Sequence, residues 1–479
     1  MTHTQPAKRS SFFGNSVYIF LIRFFPVLAS LIVTIVFSRR LDTALYGDYQ
    51  NFWIQYFVLS AVACMGTHVF LLTYSPPYLK RLLRELPKKV YGWLGGWIVA
   101  AAFVLGWLQQ AHIGFAVAAA ILVVYCIGTI VEAFLMAGKR FQLLSIVNVI
   151  FSFAFLWMHW LFLDGNQSLA NLFVQIFLLA ALRLVVYIVA ALLFAKQIKP
   201  ETSDESIHWK SVRSLWLHMG LFDILQILFR WADKFFISLL LVASISAIYF
   251  NGSNEIPFLP LILGAVGSAG LIQLAASSGA HKIKEVIQLQ HISGRVLSAV
   301  VFPLFFFLLF FSKELFGVVF KHKYDLSVPV FLVTILAIPV RAYNFTTVLQ
   351  HYHKGRIINT GAVLDITLAC LLMYPLYKSF GLPGVALAFV LTTYLQAAFY
   401  LYHSARVLQV SWPQLLPLRN WAIKLIVFFS LFITLHYVLV RFFSEQMVLT
   451  CGCMALAAIG LVALLLELKL YRAQNGETI

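Results

Sequence analysis

Charged side chains are scarce in this sequence of 479 residues. Asp, Glu, Lys and Arg make up 11% of it, whereas soluble globular domains contain about 25%. Hydrophobic residues make up 61%, and the mean hydropathy is +0.88. This composition excludes an ordinary soluble enzyme, and the short alternating segments of a membrane barrel are missing too. The sequence therefore predicts an all-α, polytopic membrane protein.

Residues with the spacing of metal, disulfide or catalytic sites are also missing. The five cysteines all lie in apolar segments, without the spacing of a zinc site or a secreted disulfide framework. We find no GxxxxGK[ST], HExxH or GxSxG motif, and no long outer loop carrying a pair of acidic residues. We therefore expect no catalytic residue, no bound metal and no cofactor.

Long apolar segments fill most of the chain. Each is about 20 residues long, the length that a hydrocarbon core of about 30 Å requires. Pro257 and Pro260 lie in the eighth segment, where we expect a kink. Fourteen transmembrane helices are predicted, at 15–37, 50–73, 90–108, 113–137, 143–163, 170–195, 215–241, 246–274, 296–311, 327–350, 357–377, 382–403, 420–440 and 446–466.

Basic residues are distributed unevenly among the loops between these segments. With the N-terminus inside, 22 of the 35 Lys and Arg residues fall in inner segments, 7 in outer loops and 6 within spans. Because cytoplasmic loops carry the excess of Lys and Arg, both termini are predicted to be cytoplasmic. The formal charge of +17 is therefore explained by membrane topology, and we expect no nucleic-acid partner.

The polar inner loop 196–214 predicts how the chain is divided. We expect an N-terminal six-helix bundle at 1–195, a cytoplasmic linker at 196–214 and a C-terminal six-helix bundle at 215–405. Residues 406–479 then supply two additional helices and a cytoplasmic tail. The basic, amphipathic segment 281–295 is predicted to lie on the cytoplasmic surface.

Weak internal matches relate the two predicted bundles. At an offset of 200, Tyr49 matches Tyr249 and Asn51 matches Asn251. At an offset of 217, Gly138 matches Gly355 and Asn148 matches Asp365. Since each unit has an even number of spans, both enter the membrane from the same side. The matches predict two parallel repeats around a central cavity.

The predicted seventh span carries most of the charges found inside the membrane. Asp223, Gln226, Arg230, Asp233 and Lys234 follow helical spacing and fall on one face. A charge facing lipid is costly, so this stripe predicts the lining of a substrate path. The alternative is a set of structural pairs, Asp223 with Arg230 and Asp233 with a neighbour.

Cations outnumber carboxylates among the charges in the spans. Arg23 lies in the first span, Arg183 in the sixth, and Arg341 follows Pro339 in the tenth, where a broken helix would suit a polar cavity. Guanidinium groups pair well with phosphate oxygens, so the excess predicts a phosphate-bearing substrate. The carboxylates could couple transport to a Na⁺ or H⁺ gradient or simply pair with arginines; the candidates are Asp223, Asp233, Glu132 and Asp365.

Four stretches resemble signatures of the polysaccharide exporter or O-antigen flippase family of the multidrug/oligosaccharidyl-lipid/polysaccharide (MOP) superfamily. The resemblance covers about residues 12–405. In chain order the stretches are RRLDTALYGDYQNFW, ADKFFISLLLVASISAIYFNG, VFKHKYDLSVPVFLVTILAIPVRAYNFTTVLQHYHKGR and FGLPGVALAFVLTTYL.

This resemblance implies a flippase of the bacterial inner membrane that works by alternating access. Its substrate would be an undecaprenyl-diphosphate-linked oligosaccharide for O-antigen, capsule or a related surface polysaccharide. A polysaccharide polymerase, chain-length proteins and membrane lipid would be partners. By position, Arg23, Arg230, Lys234 and Arg341 would form the cationic lining.

Three other functions stay open at this point. A lipid II flippase is the first, although its usual density of arginines in span one is missing here. The second is a multidrug or toxin antiporter, which would be expected to carry a carboxylate in span one. The third is a membrane-embedded polysaccharide polymerase or transferase.

Overall fold

The computed structural model describes residues 9–74, 76–165, 167–198, 207, 209–254, 259, 282–352 and 354–474. Within these residues the chain forms helices joined by turns, and no strand occurs. This confirms the all-α class. Eleven of the described helices are long and apolar enough to cross a membrane, or up to twelve if the bent seventh predicted span counts as one. The chain is thus a multi-pass membrane protein.

The helix bounds follow the predicted spans closely in the first half of the chain. Most ends agree within a few residues, because apolar runs end where loops must be hydrated. The helices are α1 (Arg9–Arg40), α2 (Thr43–Cys64), α3 (Thr67–Leu71), α4 (Pro76–Glu85), α5 (Lys88–Leu108), α6 (Phe115–Ala137), α7 (Phe141–Asp164), α8 (Leu169–Gln197), α9 (Trp209–Leu240) and α10 (Ala243–Ser253).

The second half contains short helices and 3₁₀ turns between its long helices. The remaining helices are α11 (Lys282–Phe310), α12 (Ser312–Phe320), α13 (Val328–Thr334), α14 (Thr347–His351), α15 (Gly355–Phe380), α16 (Leu382–Leu408), α17 (Leu418–Phe442) and α18 (Glu445–Gln474). Short 3₁₀ turns lie at Asp325–Ser327, Ile335–Ala337, Pro339–Ala342 and Trp412–Leu415.

Two sequence-based expectations concern the region around the predicted eighth and ninth spans. The kink expected at Pro257 and Pro260 lies outside the described residues. The cytoplasmic surface location predicted for 281–295 stays a prediction; residues 282–295 form the first turns of α11, one continuous helix from Lys282 to Phe310. One face of these turns packs on protein, since Val286 is fully buried with Leu408 and Leu415, whereas Lys284 and Glu285 are exposed. The amphipathic pattern reflects packing against protein.

The backbone contacts divide the chain into two compact units, Met1–Ser246 and Ala247–Ile479. In the first unit α1 packs on α7, α6 on α5 and α8, and α2 on α5 and α9. In the second unit α15 packs on α16, and α11 packs on both α17 and α18. Helix α9, which opens the second predicted repeat, therefore lies in the first compact unit. The predicted domain boundaries stay a prediction.

The positions matched by the internal repeat occupy similar environments. Tyr49 and Tyr249 are both buried, as are Asn51 and Asn251. In both places a two-residue turn joins the preceding long helix to the next one, α1 to α2 and α9 to α10. Asn148 and Asp365 are likewise buried. The shared burial fits one ancestral helix arrangement used twice.

Candidate functional site

Helix α9 carries the predicted stripe of charges, and the structure separates its members by burial. Arg230 is exposed. Asp233 and Lys234 are each 5% exposed, and the Lys234 ammonium lies 3.3 Å from the Asp233 carboxylate. The side chain of Gln226 lies outside the described part of the chain. The last three residues of the stripe are thus an exposed Arg230 and a buried ion pair between Asp233 and Lys234.

Asp223 is not paired with Arg230, as the structural alternative required. Its Oδ1 lies 3.7 Å from Nε2 of His68 on α3. The sequence could not supply this pairing, since 155 positions separate the two residues and no spacing rule links them. Asp233 does pair with a neighbour, as that alternative expected, through Lys234.

The other two residues of the predicted cationic lining lie on different elements. Arg23 is exposed on α1, in the first compact unit. Arg341 is half-buried in the second unit, in the 3₁₀ turn Pro339–Ala342. Tyr343 after that turn is extended, so the tenth span is broken at the proline, as predicted. Backbone groups released by such a break suit a polar environment.

Asp365 is the most enclosed of the four candidate coupling carboxylates. It lies on α15, is 2% exposed and faces Thr392 and Tyr400 of α16. Among the described residues neither carboxylate oxygen has a partner with hydrogen-bond geometry, because the Thr392 hydroxyl donates to Phe389 O and the Tyr400 hydroxyl to Ile358 O. This site offers oxygen ligands with no countercharge in the described residues.

Glu132, in contrast, is held by a specific cation. Arg183 Nη2 of α8 donates to Glu132 Oε2 of α6 at 2.6 Å. The guanidinium also lies over the rings of Phe151 and Tyr187, at 4.7 and 5.1 Å from their centroids. An ion pair braced on two aromatic faces satisfies Arg183 inside an apolar bundle.

A small cavity lies beside this ion pair. Its volume is about 20 Å³, which is enough for a water molecule but not for a sugar ring. It is therefore not a substrate site. Its lining residues are Val124, Tyr125, Gly128, Thr129, Ala180, Arg183, Leu184 and Tyr187.

The second unit contains a charge network that the sequence-based analysis missed. Glu467 of α18 is 6% exposed and accepts from Arg295 of α11 at 2.9 Å and from Asn420 of α17 at 3.1 Å. Lys424 Nζ of α17 lies 2.9 Å from Glu467 Oε1. The sequence did contain a signal for this network: Lys424 lies inside the predicted thirteenth span, and Glu467 lies at the end of the fourteenth. Within the described residues no group of three metal-ligating side chains occurs.

Comparison with known proteins was made by sequence and by structure. No protein-family model matches the sequence, and no curated protein matches it. A solved structure of the lipid II flippase MurJ in an inward closed conformation is similar, with a TM-score of 0.64 and 13% identity, covering 96% of this chain and 99% of that one. An inward-facing multidrug resistance MATE family transporter of the MOP superfamily is similar at a TM-score of 0.52 and 13% identity, covering 82% of this chain and 98% of that one.

The chain has the fold of the MOP transporters. At this level of identity the similarity defines the fold and leaves the substrate open. A substrate has to be argued from the side chains of this chain.

Proposed function

We propose that this protein is a flippase that moves an undecaprenyl-diphosphate-linked oligosaccharide from the inner to the outer leaflet of the bacterial inner membrane. The observation that carries the proposal is the exposed side chain of Arg230, on a helix that is otherwise apolar enough to span a bilayer. Because an arginine facing hydrocarbon is costly, this face of α9 lines a polar path.

The chemistry of the exposed cations supports a diphosphate head group as substrate. Arg23 on α1 is exposed as well, whereas the neighbouring cation Lys234 is neutralised by Asp233. Guanidinium groups bind phosphate oxygens in a bidentate way, and they keep their charge in any environment. We therefore assign contacts with phosphate to Arg23 and Arg230 of the first unit, and keep Lys234 as the partner of Asp233 on α9. Arg341 of the second unit stays a predicted cationic residue beside the break at Pro339.

Coupling to a Na⁺ or H⁺ gradient is assigned to Asp365 ahead of the other three carboxylates. Glu132 and Asp233 each face a cation, and Asp223 faces His68. Asp365 is buried against hydroxyl groups and faces no cation among the described residues. A carboxylate in this setting can bind and release a proton or a cation during a transport cycle.

A lipid II flippase is the second candidate, and one observation favours it. The MurJ structure aligns with 96% of this chain, whereas the MATE transporter aligns with 82%. Both lipid-linked substrates carry a diphosphate on a polyprenyl tail, so the exposed arginines suit either. A multidrug antiporter is the weaker alternative, because the MATE transporter aligns with the smaller part of the chain. The excess of cations in the spans also suits an anionic substrate better than a cationic drug.

The experiment that tests the proposal is deletion in the native host followed by analysis of lipid-linked intermediates. We expect loss of surface polysaccharide and accumulation of an undecaprenyl-diphosphate-oligosaccharide on the cytoplasmic side. Accumulation of lipid II with loss of viability would identify the second candidate instead. Normal intermediates with altered sensitivity to cationic drugs would contradict both lipid-linked substrates.

A further inference from the structure

Helix α2 does not continue straight into α3. It ends at Cys64, and both Met65 (φ 44°) and Gly66 (φ 62°) adopt the left-handed conformation before α3 begins at Thr67. This conformation is uncommon for a residue with a side chain such as Met65. The two residues therefore form a defined joint in the chain: Met65 N still donates to Ala61 O and Gly66 O accepts from Phe70 N, whereas Met65 O accepts from a side chain of another helix.

Three residues of α9 contact this joint and the helix that follows it. Trp216 Nε1 donates to Met65 O at 3.1 Å, and Asp223 Oδ1 lies 3.7 Å from His68 Nε2. Gly220 lies between them along α9. A methyl group placed on Gly66 would come within 2.5 Å of Gly220 Cα, so the two backbones touch. Because Trp216, Gly220 and Asp223 are four and three positions apart, one face of α9 makes all three contacts.

Helix α9 is bent just beyond these contacts. Its segments Val212–Leu225 and Ile227–Leu240 meet at an angle of 44°. The segment after the bend is attached to α2 by other means. The rings of Phe57 and Trp231 stack at 4.7 Å and 19°, and just past the end of α9 Gly47 touches the backbone of Ala243, the first residue of α10. The two halves of α9 therefore have separate attachments to the same neighbour.

We propose that the contact between the α2–α3 joint and Val212–Leu225 is a latch that closes the cytoplasmic entrance to the cationic path. This proposal rests on the proposed function. To open the latch, Val212–Leu225 swings about the bend while Ile227–Leu240 stays packed on α2. The joint is followed by the basic segment 74–89, which the distribution of Lys and Arg places in the cytoplasm.

The contacts of the latch are suited to reversible opening. The side chains of His68 and Asp223 are 27% and 15% exposed, so their pairing is partly hydrated and weak. Two glycine backbones in contact can separate without any side chain having to repack. Apolar contact comes from the half-buried Trp216, which packs on Phe70, and from the buried Val212 in the same cluster. That cluster favours the closed state until substrate binds.

The test measures the distance between spin labels on the two sides of the latch, in the full-length protein in nanodiscs. The five native cysteines are replaced. Labels are placed at Arg213→Cys on α9 and at Lys139→Cys after α6, the helix on which α3 packs, and both positions are exposed. A side chain on Gly220 would overlap Met65 O. We therefore expect Gly220→Ala to raise the longer-distance population about tenfold, the effect of a modest steric cost.

Gly96→Ala is the matched control, because a methyl group on Gly96 of α5 meets nothing within 4 Å. It should leave the distance distribution of the parent protein unchanged. Identical distributions for Gly220→Ala and Gly96→Ala would overturn the latch. Should Gly220→Ala fail to fold, Trp216→Phe is the second variant, since it removes the hydrogen bond to Met65 O and keeps an aromatic ring. It should also raise the longer-distance population, by a smaller factor.

A cysteine pair connects the latch to transport. Phe70→Cys with Trp216→Cys, at positions whose rings lie 5.9 Å apart across the latch, joined by a short bifunctional thiol reagent, should hold the latch closed and stop surface polysaccharide export. The single variants should continue to export. Export by the joined pair would contradict the latch even if the deletion experiment supports the flippase. The reverse result is also possible: the label distances show that the latch opens, but deletion of the protein leaves lipid-linked intermediates unchanged. That result would contradict the proposed function and leave the latch standing.

Discussion

At the scale of single residues, exposure and pairing divide the charges inside the membrane into two kinds. Arg23 and Arg230 are exposed, whereas Arg183 and Lys234 face carboxylates. Sequence spacing predicted that cations would be present, but not which of them would be neutralised. Pairing depends on helices far apart in the chain, as with Glu132 and Arg183, and no local rule encodes such a pair.

The exposed arginine gives the first prediction. Arg230→Gln should abolish surface polysaccharide while the protein still inserts and folds, because it removes the charge that binds phosphate at an exposed position and keeps a side chain of similar length. Arg213→Gln, an exposed arginine in the first turns of the same helix, is the matched control and should export normally. Surface polysaccharide on colonies and the amount of protein in membranes are the two measurements. Normal export from Arg230→Gln would contradict the cationic site.

The Glu132–Arg183 pair gives the second prediction. Glu132→Gln should lower the free energy of unfolding by about 1–3 kcal/mol, since it leaves the half-buried Arg183 without its carboxylate. Removing both charges, with Glu132→Gln and Arg183→Leu together, should recover much of that loss. Thermal unfolding in detergent measures both. If the double variant is stable but still fails to export, Glu132 has a role in transport beyond the ion pair.

At the scale of elements, the sequence predicted the uninterrupted helices well and the broken ones poorly. Helices α15 and α17 match predicted spans to within a few residues, because an apolar run of membrane length has one stable conformation. The joint at Met65 was not predicted, since a left-handed methionine is fixed by contacts with α9 rather than by a local preference. The break at Pro339 was predicted because proline cannot continue a helical ladder.

The attachment of α17 and α18 to α11 gives the third prediction. Glu467→Gln should leave Arg295 and Lys424 close together without a countercharge, which destabilises both helices. We expect faster hydrogen exchange throughout 418–474. The matched control is Glu85→Gln: it removes the exposed pair with Arg81, which is worth about 0.3–0.5 kcal/mol at most. Equal exchange in the two variants would show that apolar packing alone holds these helices.

A histidine between α12 and α13 gives the fourth prediction. Hydrogen bonding to Asp325, helped by the nearby Glu445 at the start of α18, raises the pKa of His322. The stabilisation is therefore complete below the ordinary pKa of about 6.5 and is lost as the pH rises through the higher folded value. We expect the melting temperature of the parent protein to fall over this interval. The melting temperature of His322→Gln should change less with pH, and parallel pH profiles would contradict the assignment.

At the scale of the whole molecule, the basic residues in the loops predict the orientation of the protein in the membrane. The fold alone does not determine this orientation. The ratio of 22 inner to 7 outer basic residues predicts that both termini are cytoplasmic, which requires an even number of spans. Orientation decides which end of α9 faces the cytoplasm, and therefore which leaflet the latch at Trp216 serves.

Single cysteines settle the orientation without altering the fold. In a background without the native cysteines, Ser444→Cys lies in the exposed turn between α17 and α18, and Ser203→Cys falls in the cytoplasmic linker predicted at 196–214. An impermeant maleimide added to intact cells should label the first and spare the second. Both should react after the cells are broken. The opposite labelling pattern would show that the orientation in the membrane is reversed. The α2–α3 joint would then close the outer end of the path. A diphosphate substrate entering from the cytoplasm would reach Arg230 without passing the latch.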